Sequence, residues 1–278
     1  MRPTISVAAL IVAAALTITS CSGPPAPQRV FIDPGLAPLI PPDTNVLAGV
    51  RVDLLSKHPA FPLIVKQRAV QSFVETSRIK PKDLWQVMFV SNGRDSFWTA
   101  RGKFANELMA PDPNRYGYAG GRFDYKGLSM VGNEAEALMF INSTTTAVGP
   151  APVLRALIDA RGQMKDVPAR FAPLLAQIPL ESEVWGAYAG GPVDLDLPGN
   201  FANLRNVFAL LQSGTFYMNA NTGLHLVAAG TSPSEASAQQ LHDALQGLFA
   251  LGQLAGQQIK ADVTREGTHV TVKADAGF

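Results

Sequence analysis

Cysteine is nearly absent from this chain of 278 residues, in which Cys21 is the only one. No disulfide can form within the chain, and a structural zinc site, which usually has thiolate ligands, is not expected. Histidine is also scarce, and no two of the four are spaced to share a helical turn: His58, His225, His242 and His269. We interpret each as a structural residue and predict no metal ligand among them.

The sequence motifs of familiar catalysts are missing as well. There is no Gly-x-Ser-x-Gly nucleophile elbow, no phosphate-binding glycine loop that ends in lysine and no His-Glu-x-x-His. Charges are few and balanced, with 23 Lys and Arg against 22 Asp and Glu and no charge run, which argues against nucleic acid as a partner. We therefore predict no catalytic residue, no metal and no cofactor.

A secretory leader is indicated by Arg2 and the apolar stretch 5–18, which is too short to remain as a membrane span. It ends in Ile18-Thr19-Ser20-Cys21, which resembles the lipobox of bacterial lipoproteins. The resemblance implies that residues 1–20 are a signal peptide and that Cys21 carries lipid, with acyl chains such as palmitate, as a membrane anchor. Ser22 in place of Asp implies the outer membrane, facing the periplasm, in a Gram-negative source. The alternative is an ordinary secretory signal with an unrelated cysteine.

Proline is concentrated after the leader, with seven of the 21 prolines between residues 22 and 43. Proline at this density favours extended, semi-rigid backbone. Residues 21–40 are therefore predicted to be a lipidated tether. Its latter half contains apolar residues from Val30 onward that could dock on the folded part, so the free tether is expected to end near Arg29.

Two segments 138 residues apart share a pattern of Ile-Pro, acid, hydroxyl and Val. They are Ile40-Pro-Pro-Asp-Thr-Asn-Val46 and Ile178-Pro-Leu-Glu-Ser-Glu-Val184. Further along, a predicted hairpin that begins at Phe89 is matched by one that begins at Tyr217, and both turn on Asn and Gly. We interpret the matches as an internal duplication, with chance similarity in an alanine-rich chain as the alternative.

The fold class is predicted to be α+β, with two related units at 41–165 and 166–278. Each is expected to be an antiparallel sheet with two helices on one face, in a ferredoxin-like order with an extra strand. Strands are predicted at 46–52, 84–91, 96–103, 122–131, 137–141, 144–148, 183–189, 214–219, 224–229 and, as a hairpin, 259–274. Helices are predicted at 61–76, 105–109, 150–160, 169–177 and 200–212, with a longer one after residue 231.

The longer helix has the strongest signals. Ser232-Pro-Ser-Glu235 predicts a capping box with Ser232 at the N-cap. The large apolar residues that follow are spaced to share one face: Leu241, Leu245, Leu248 and Phe249.

Three acidic pairs are candidates for paired-carboxylate chemistry or a cation: Glu134 with Glu136, Glu181 with Glu183, and Asp194 with Asp196. We interpret each pair as lying at solvated strand or loop positions. The glycine-framed Asp194-Leu-Asp196 could wrap a hard cation but lacks the rest of a calcium loop.

The stretch 115–126 interleaves four aromatic with three basic residues, a composition that would also suit glycan stacking. We interpret it as a hairpin over Gly120-Gly121, in which Tyr116 and Tyr118 oppose Phe123 and Tyr125.

Three functional hypotheses follow. The first is a non-catalytic envelope lipoprotein that binds a protein or cell-wall glycan as a scaffold. The second is a carrier of a lipid or other apolar ligand, held between sheet and helices or between the halves. The third is an enzyme of unfamiliar type. Beyond the lipobox, the chain is broadly similar to bacterial secreted proteins with repeated α+β units, and that similarity implies no particular function.

Overall fold

The computed structural model describes residues 30–59, 61–62, 79–104, 111–112, 120–193, 204–220, 223–254 and 259–276. Cys21, the pair Asp194 and Asp196, the predicted helix 105–109 and nearly all of the predicted helix 61–76 lie outside these residues. The strands are β1 (Val46–Arg51), β2 (Leu84–Ser91), β3 (Ser96–Gly102), β4 (Gly121–Tyr125), β5 (Leu128–Gly132), β6 (Ala137–Asn142), β7 (Thr145–Gly149), β8 (Val184–Tyr188), β9 (Ser213–Asn219), β10 (Leu224–Thr231), β11 (Ile259–Glu266) and β12 (His269–Ala276).

Five α-helices accompany the strands within the described residues. They are α1 (Val52–Leu55), α2 (Ala151–Ala160), α3 (Ala172–Leu175), α4 (Leu204–Ala209) and α5 (Glu235–Leu254). The prediction of two helices on either side of Gly162 is confirmed by α2 and α3. Gly162 has a φ of +93°, a conformation that glycine adopts at little cost.

All twelve strands belong to one antiparallel sheet, in the order β11-β12-β10-β9-β8-β1-β2-β3-β7-β6-β5-β4. The α+β class is therefore confirmed, but the two predicted sheets are one, because β1 pairs with β8 at the centre. The ferredoxin-like arrangement is not found either. In that fold the strands on either side of a helix are separated, whereas here β8 pairs directly with β9.

The central pair places the two halves in corresponding positions. Val46 lies opposite Tyr188, and Val184 lies opposite Val50, so Val46 and Val184 stand at matching points of the two strands. The hairpins correspond with a shift of one residue from the predicted alignment. Ala48 pairs with Phe89, and its counterpart Gly186 pairs with Phe216, not with Tyr217.

The back face of the sheet, defined as the face that carries Leu47 and Trp185, holds the larger core. Residues 30–40, α2 and α3 cover it. As expected for the latter half of the tether, Val30 and Leu36 are buried there. The buried side chain of Gln86 holds the segment, because its Oε1 accepts from Asp33 N at 2.8 Å and its Nε2 donates to Phe31 O at 3.0 Å.

The opposite or front face carries Ala48 and Gly186 and has two smaller clusters. One lies on β2, β3 and β5–β7 and contains Val87, Leu138 and Phe140. The other joins β12 to α4 and α5. Between the clusters, the front face of β8, β1 and β2 is only partly covered.

The predicted start of α5 is wrong by two residues. The helix begins at Glu235, and Ser234 is the N-cap, because its Oγ accepts a hydrogen bond from Ser237 N at 3.1 Å. Ser232 is buried outside the helix, and its N–H donates to Thr268 O. The apolar face is also narrower than predicted, since Leu248 is 53% exposed.

The described part of the aromatic stretch pairs with the segment that follows it, so the predicted strand 122–131 is two strands, whereas Tyr116 and Tyr118, and with them the predicted hairpin over Gly120-Gly121, lie outside the described residues. β4 and β5 are joined by Lys126 and Gly127, which have φ values of 48° and 81° and so form a tight two-residue turn. Phe123 and Tyr125 pack against the back core. The Tyr125 hydroxyl donates to Asp159 at 3.0 Å, which supports the structural interpretation of this stretch.

Candidate functional site

Small residues occupy adjacent front positions on β8, β9 and β10. Gly186 on β8 pairs with Phe216 on β9, which in turn pairs with Ala228 on β10. Two residues from Phe216 on β9, Gly214 pairs with Gly230 on β10. Side chains alternate between faces along a strand, so these residues form one area of the front face. With no side chain longer than a methyl at four of the five positions, the sheet leaves open space beneath the helices that cover it.

A cavity of about 470 Å³ fills that space. Its floor is the small-residue area together with Val270 and Val272 of β12. Its roof is formed by α4, by the turn after it through Leu211, and by Leu241 and Leu245 of α5. The cavity therefore lies between sheet and helices in the second half of the chain.

Two large side chains rest on the floor glycines and limit the cavity. A Cβ at Gly230 would lie 2.4 Å from Leu211 Cδ2, and one at Gly186 would lie 2.2 Å from Phe216 Cε1. Phe216 is 37% exposed although it lines the cavity, so the cavity opens to solvent beside its ring.

The described residues of the cavity walls offer almost no polar group. The Tyr188 hydroxyl donates to Gly191 O at 2.5 Å, and the ring meets Phe208 edge-on at 5.0 Å. Burial raises the pKa of Tyr188, so the hydroxyl is neutral at physiological pH. Thr215 contributes backbone only, because it pairs with Ala187, whose side chain belongs to the back core. A ligand inside would find no free hydrogen-bond partner on these side chains.

An exposed apolar surface adjoins the cavity on the front face, and we call it the central patch: Val46, Ala48, Phe89, Trp98 and Phe216. Phe89 and Trp98 are neighbours on β2 and β3, with ring centroids 5.0 Å apart, and Trp98 is 42% exposed. Val46 and Phe216 line the cavity as well as the patch.

A second depression, of about 450 Å³, lies between α2 and residues 41–44. Its walls mix Val153 and Leu157 of α2 with polar groups at the β2–β3 turn. Among these, Asn92 Nδ2 donates to Asp43 Oδ2 at 2.9 Å. The depression is therefore a surface groove with mainly apolar walls and polar groups at the turn, unlike the cavity under α4 and α5, whose described walls are almost wholly apolar.

The acidic pairs within the described residues do not converge. Glu134 pairs with Arg155, which lowers the pKa of Glu134, whereas Glu136 is exposed. Glu183 is buried and its Oε2 accepts from Ala220 N at 2.7 Å, whereas Glu181 is exposed. Each of these carboxylates either accepts a hydrogen bond from another part of the fold or is exposed to solvent.

The histidines lie apart from one another and from the cavity. His225 contacts Asp275, its partner across β10 and β12, at 2.5 Å. His242 contacts Asp243 on the outer side of α5 and lowers the pKa of that carboxyl. In the described part of the chain, no group of three or more His, Cys, Asp or Glu is placed to hold a metal ion. Of the helices that the structure describes, none is long and apolar enough to cross a membrane.

The sequence patterns considered above did not identify the floor residues of the cavity. A signal was present, because Gly186 interrupts a predicted strand, Gly214 begins one and Gly230 directly follows one, and glycine is unfavourable in strands. Reading it required the pairing of β8, β9 and β10, which places these glycines side by side.

No protein-family model and no curated protein sequence matches the chain. Among solved structures, crystal form I of TP0453 is similar, with a TM-score of 0.50, 11% identity and coverage of 90% of this chain and 94% of that one. Crystal form III of TP0453 gives a TM-score of 0.50, 12% identity and coverage of 88% and 94%. At this identity the likeness concerns the fold alone.

Proposed function

We propose that this chain is a lipid-anchored envelope protein that binds an apolar molecule in the cavity between the sheet and helices α4 and α5. The observation that carries the proposal is the cavity itself, about 470 Å³ in volume, with walls of hydrocarbon and an opening beside Phe216.

The size and chemistry of the cavity favour a ligand. Small-molecule sites generally measure about 300–1,000 Å³ and are mostly apolar. Because water cannot hydrogen-bond to these walls, an apolar ligand that replaces water is favoured by the hydrophobic effect.

The cavity favours the carrier hypothesis over the other two. A scaffold needs an outer surface and no internal space. A catalyst needs a titratable group beside its substrate, and of the described side chains lining the cavity only Tyr188 is titratable. Its hydroxyl is already hydrogen-bonded to Gly191 O. Binding is therefore the role that this site supports best.

The anchor at Cys21 remains part of the proposal and rests on the lipobox resemblance. Since the chain is packed from Val30 onward, residues 21–29 would form the free tether, which spans roughly 30 Å when extended. We predict that Cys21→Ser abolishes metabolic labelling with a fatty acid and blocks signal-peptide removal, because only the thiol accepts the lipid. Labelling that persists in Cys21→Ser would contradict the anchor without affecting the cavity.

We also propose that the two halves are related units. The strand set β1-β2-β3-β7-β6 corresponds to β8-β9-β10-β12-β11, and the support is the central register that matches Val46 with Val184. In this comparison only the second unit has the glycine floor. Phe216 of β9 pairs with the small Ala228 of β10, whereas the corresponding Phe89 of β2 pairs with the large Trp98 of β3.

Ligand binding is tested by filling the cavity. In Ala228→Phe the new ring stands on the front face over the floor, whereas in Ala229→Phe it stands on the back face, because Ala229 pairs with Thr215. We expect native mass spectrometry of the full chain, released from detergent micelles, to show one bound oleate in the wild type and in Ala229→Phe. We expect none in Ala228→Phe. Equal retention by all three proteins would place the bound molecule elsewhere and refute the proposal.

A further inference from the structure

The cavity and the central patch form one continuous apolar surface. Phe216, Gly186, Ala48, Phe89 and Trp98 are consecutive register partners on β9, β8, β1, β2 and β3. Neighbouring strands are about 4.8 Å apart, so this row carries the surface roughly 19 Å from Phe216 to Trp98. The row begins inside the cavity and ends at an exposed indole.

We propose that the ligand is a long-chain amphiphile, with its hydrocarbon end in the cavity, the rest of the chain along the central patch, and its polar head in solvent near Trp98. This inference rests on the proposed function and specifies its ligand class. The central patch therefore binds the part of the ligand that lies outside the cavity.

The absence of free hydrogen-bonding groups on the described cavity side chains fixes the direction of binding. A polar head inside would lose its hydration and find no partner, which is strongly unfavourable. A hydrocarbon end loses nothing by entering. The head must therefore lie beyond the opening beside Phe216, and the chain that links it to the buried end passes over the apolar surface next to that opening.

The exposure of the patch agrees with a transient occupant. Val46, Ala48 and Phe89 are each partly exposed, and Trp98 is 42% exposed. A contiguous apolar area of this kind that faces solvent generally marks a binding site. Its continuity with the cavity, through Phe216 and Val46, identifies the ligand as the molecule that covers it.

The test compares a long and a short fatty acid on the full chain in detergent micelles, with oleate and octanoate as probes. We expect Trp98→Ala to weaken oleate retention about tenfold, the loss expected for one aromatic contact, and to leave octanoate retention unchanged. Trp85→Ala is the matched control, because Trp85 is also 42% exposed but lies near Arg101, with 5.6 Å between the guanidinium carbon and the ring centroid. Trp85→Ala should leave both probes unaffected.

A second readout uses oleate brominated across its double bond, since bromine quenches nearby indole fluorescence. The Trp98 signal, taken as wild type minus Trp98→Phe, should be quenched in the wild type and in Ala229→Phe but not in Ala228→Phe. Suppose that Ala228→Phe abolishes oleate retention, that Trp98→Ala does not weaken it and that no quenching occurs. The cavity then binds oleate but the central patch does not, so this inference fails while the proposed function stands. If the central patch binds another protein instead, Trp98→Ala should change the retention of neither oleate nor octanoate, and this inference fails in the same way. If neither probe is retained by the wild type, the proposed function fails.

Discussion

The back and front faces of the sheet differ at one strand glycine, Gly214, which no large side chain covers closely. On the back face, Gly49 makes room for the fully buried Trp185, and a Cβ at Gly49 would lie 2.5 Å from the indole. On the front face, Leu211 and Phe216 lie over Gly230 and Gly186 in the same way, but a Cβ at Gly214 would meet nothing closer than Ala229 O, at 3.1 Å. A strand glycine thus gives a packed core where a large neighbouring side chain fills the space, and an open cavity where none does.

The two faces are therefore expected to differ in what they contribute to stability and to ligand binding. The back core is closely packed by residues 30–40, α2 and α3, so it is expected to carry most of the stability. The front cluster under α4 and α5 is small, and among the described residues Ala238, Leu241 and Val270 are the ones buried in it. An element that must admit a ligand is expected to come from the less stable part of a fold.

The largest predicted effect is on the back face. Trp185→Ala should lower the free energy of unfolding by about 3–5 kcal/mol, because it leaves a large void in a packed core. Phe216→Ala should cost less than about 2 kcal/mol, since Phe216 is 37% exposed beside an existing cavity. Urea denaturation of both variants measures the contrast. Equal losses would mean that the two faces are packed alike.

Matched glycine substitutions sharpen the comparison further. Gly49→Ala should destabilise the protein by about 1–3 kcal/mol, because the methyl group overlaps the Trp185 ring and a core cannot expand freely. Gly214→Ala should change stability by no more than about 1 kcal/mol, because its Cβ contact is only slightly short. The urea midpoints of the two variants report the difference, and a larger loss for Gly214→Ala would refute the proposed contrast.

Local structure was largely predictable from the sequence. Strand bounds such as Leu84–Ser91 follow from a short apolar run that ends at an Asn-Gly turn, and Asn92 organises that turn by accepting hydrogen bonds from Arg94 N and Asp95 N. Two errors concern the bounds of single elements. At α5, Ser232 and Ser234 are both possible caps, and buried pairing of Ser232 N with Thr268 O decides between them. At β4–β5, Lys126 occupies a positive-φ position where Asn or Gly is usual.

Long-range features were beyond the sequence patterns. Nothing in Val46–Arg51 or Val184–Tyr188 alone indicates that these strands pair with each other and so merge two predicted sheets into one. The cavity depends on the same information, because the floor exists only once Gly186, Gly214 and Gly230 are aligned across strands. Composition permitted an apolar pocket between sheet and helices, and the pairing locates it.

The smallest predicted effect concerns Tyr188, the polar group of the cavity wall. Tyr188→Phe removes the hydrogen bond to Gly191 O and should cost about 1 kcal/mol at neutral pH. Burial raises the pKa of Tyr188 from 10.0, so above that pH the unfolded chain loses the proton while the folded chain keeps it. This contribution to stability is therefore fully present below pH 10.0 and declines as the pH rises through the folded pKa. Other tyrosines titrate in both proteins, so the difference between wild type and Tyr188→Phe isolates this group. Urea midpoints measured at neutral pH and at several values above 10.0 should converge. A difference that stays constant with pH would show that the Tyr188 hydroxyl is not buried, and that this wall of the cavity is open to water.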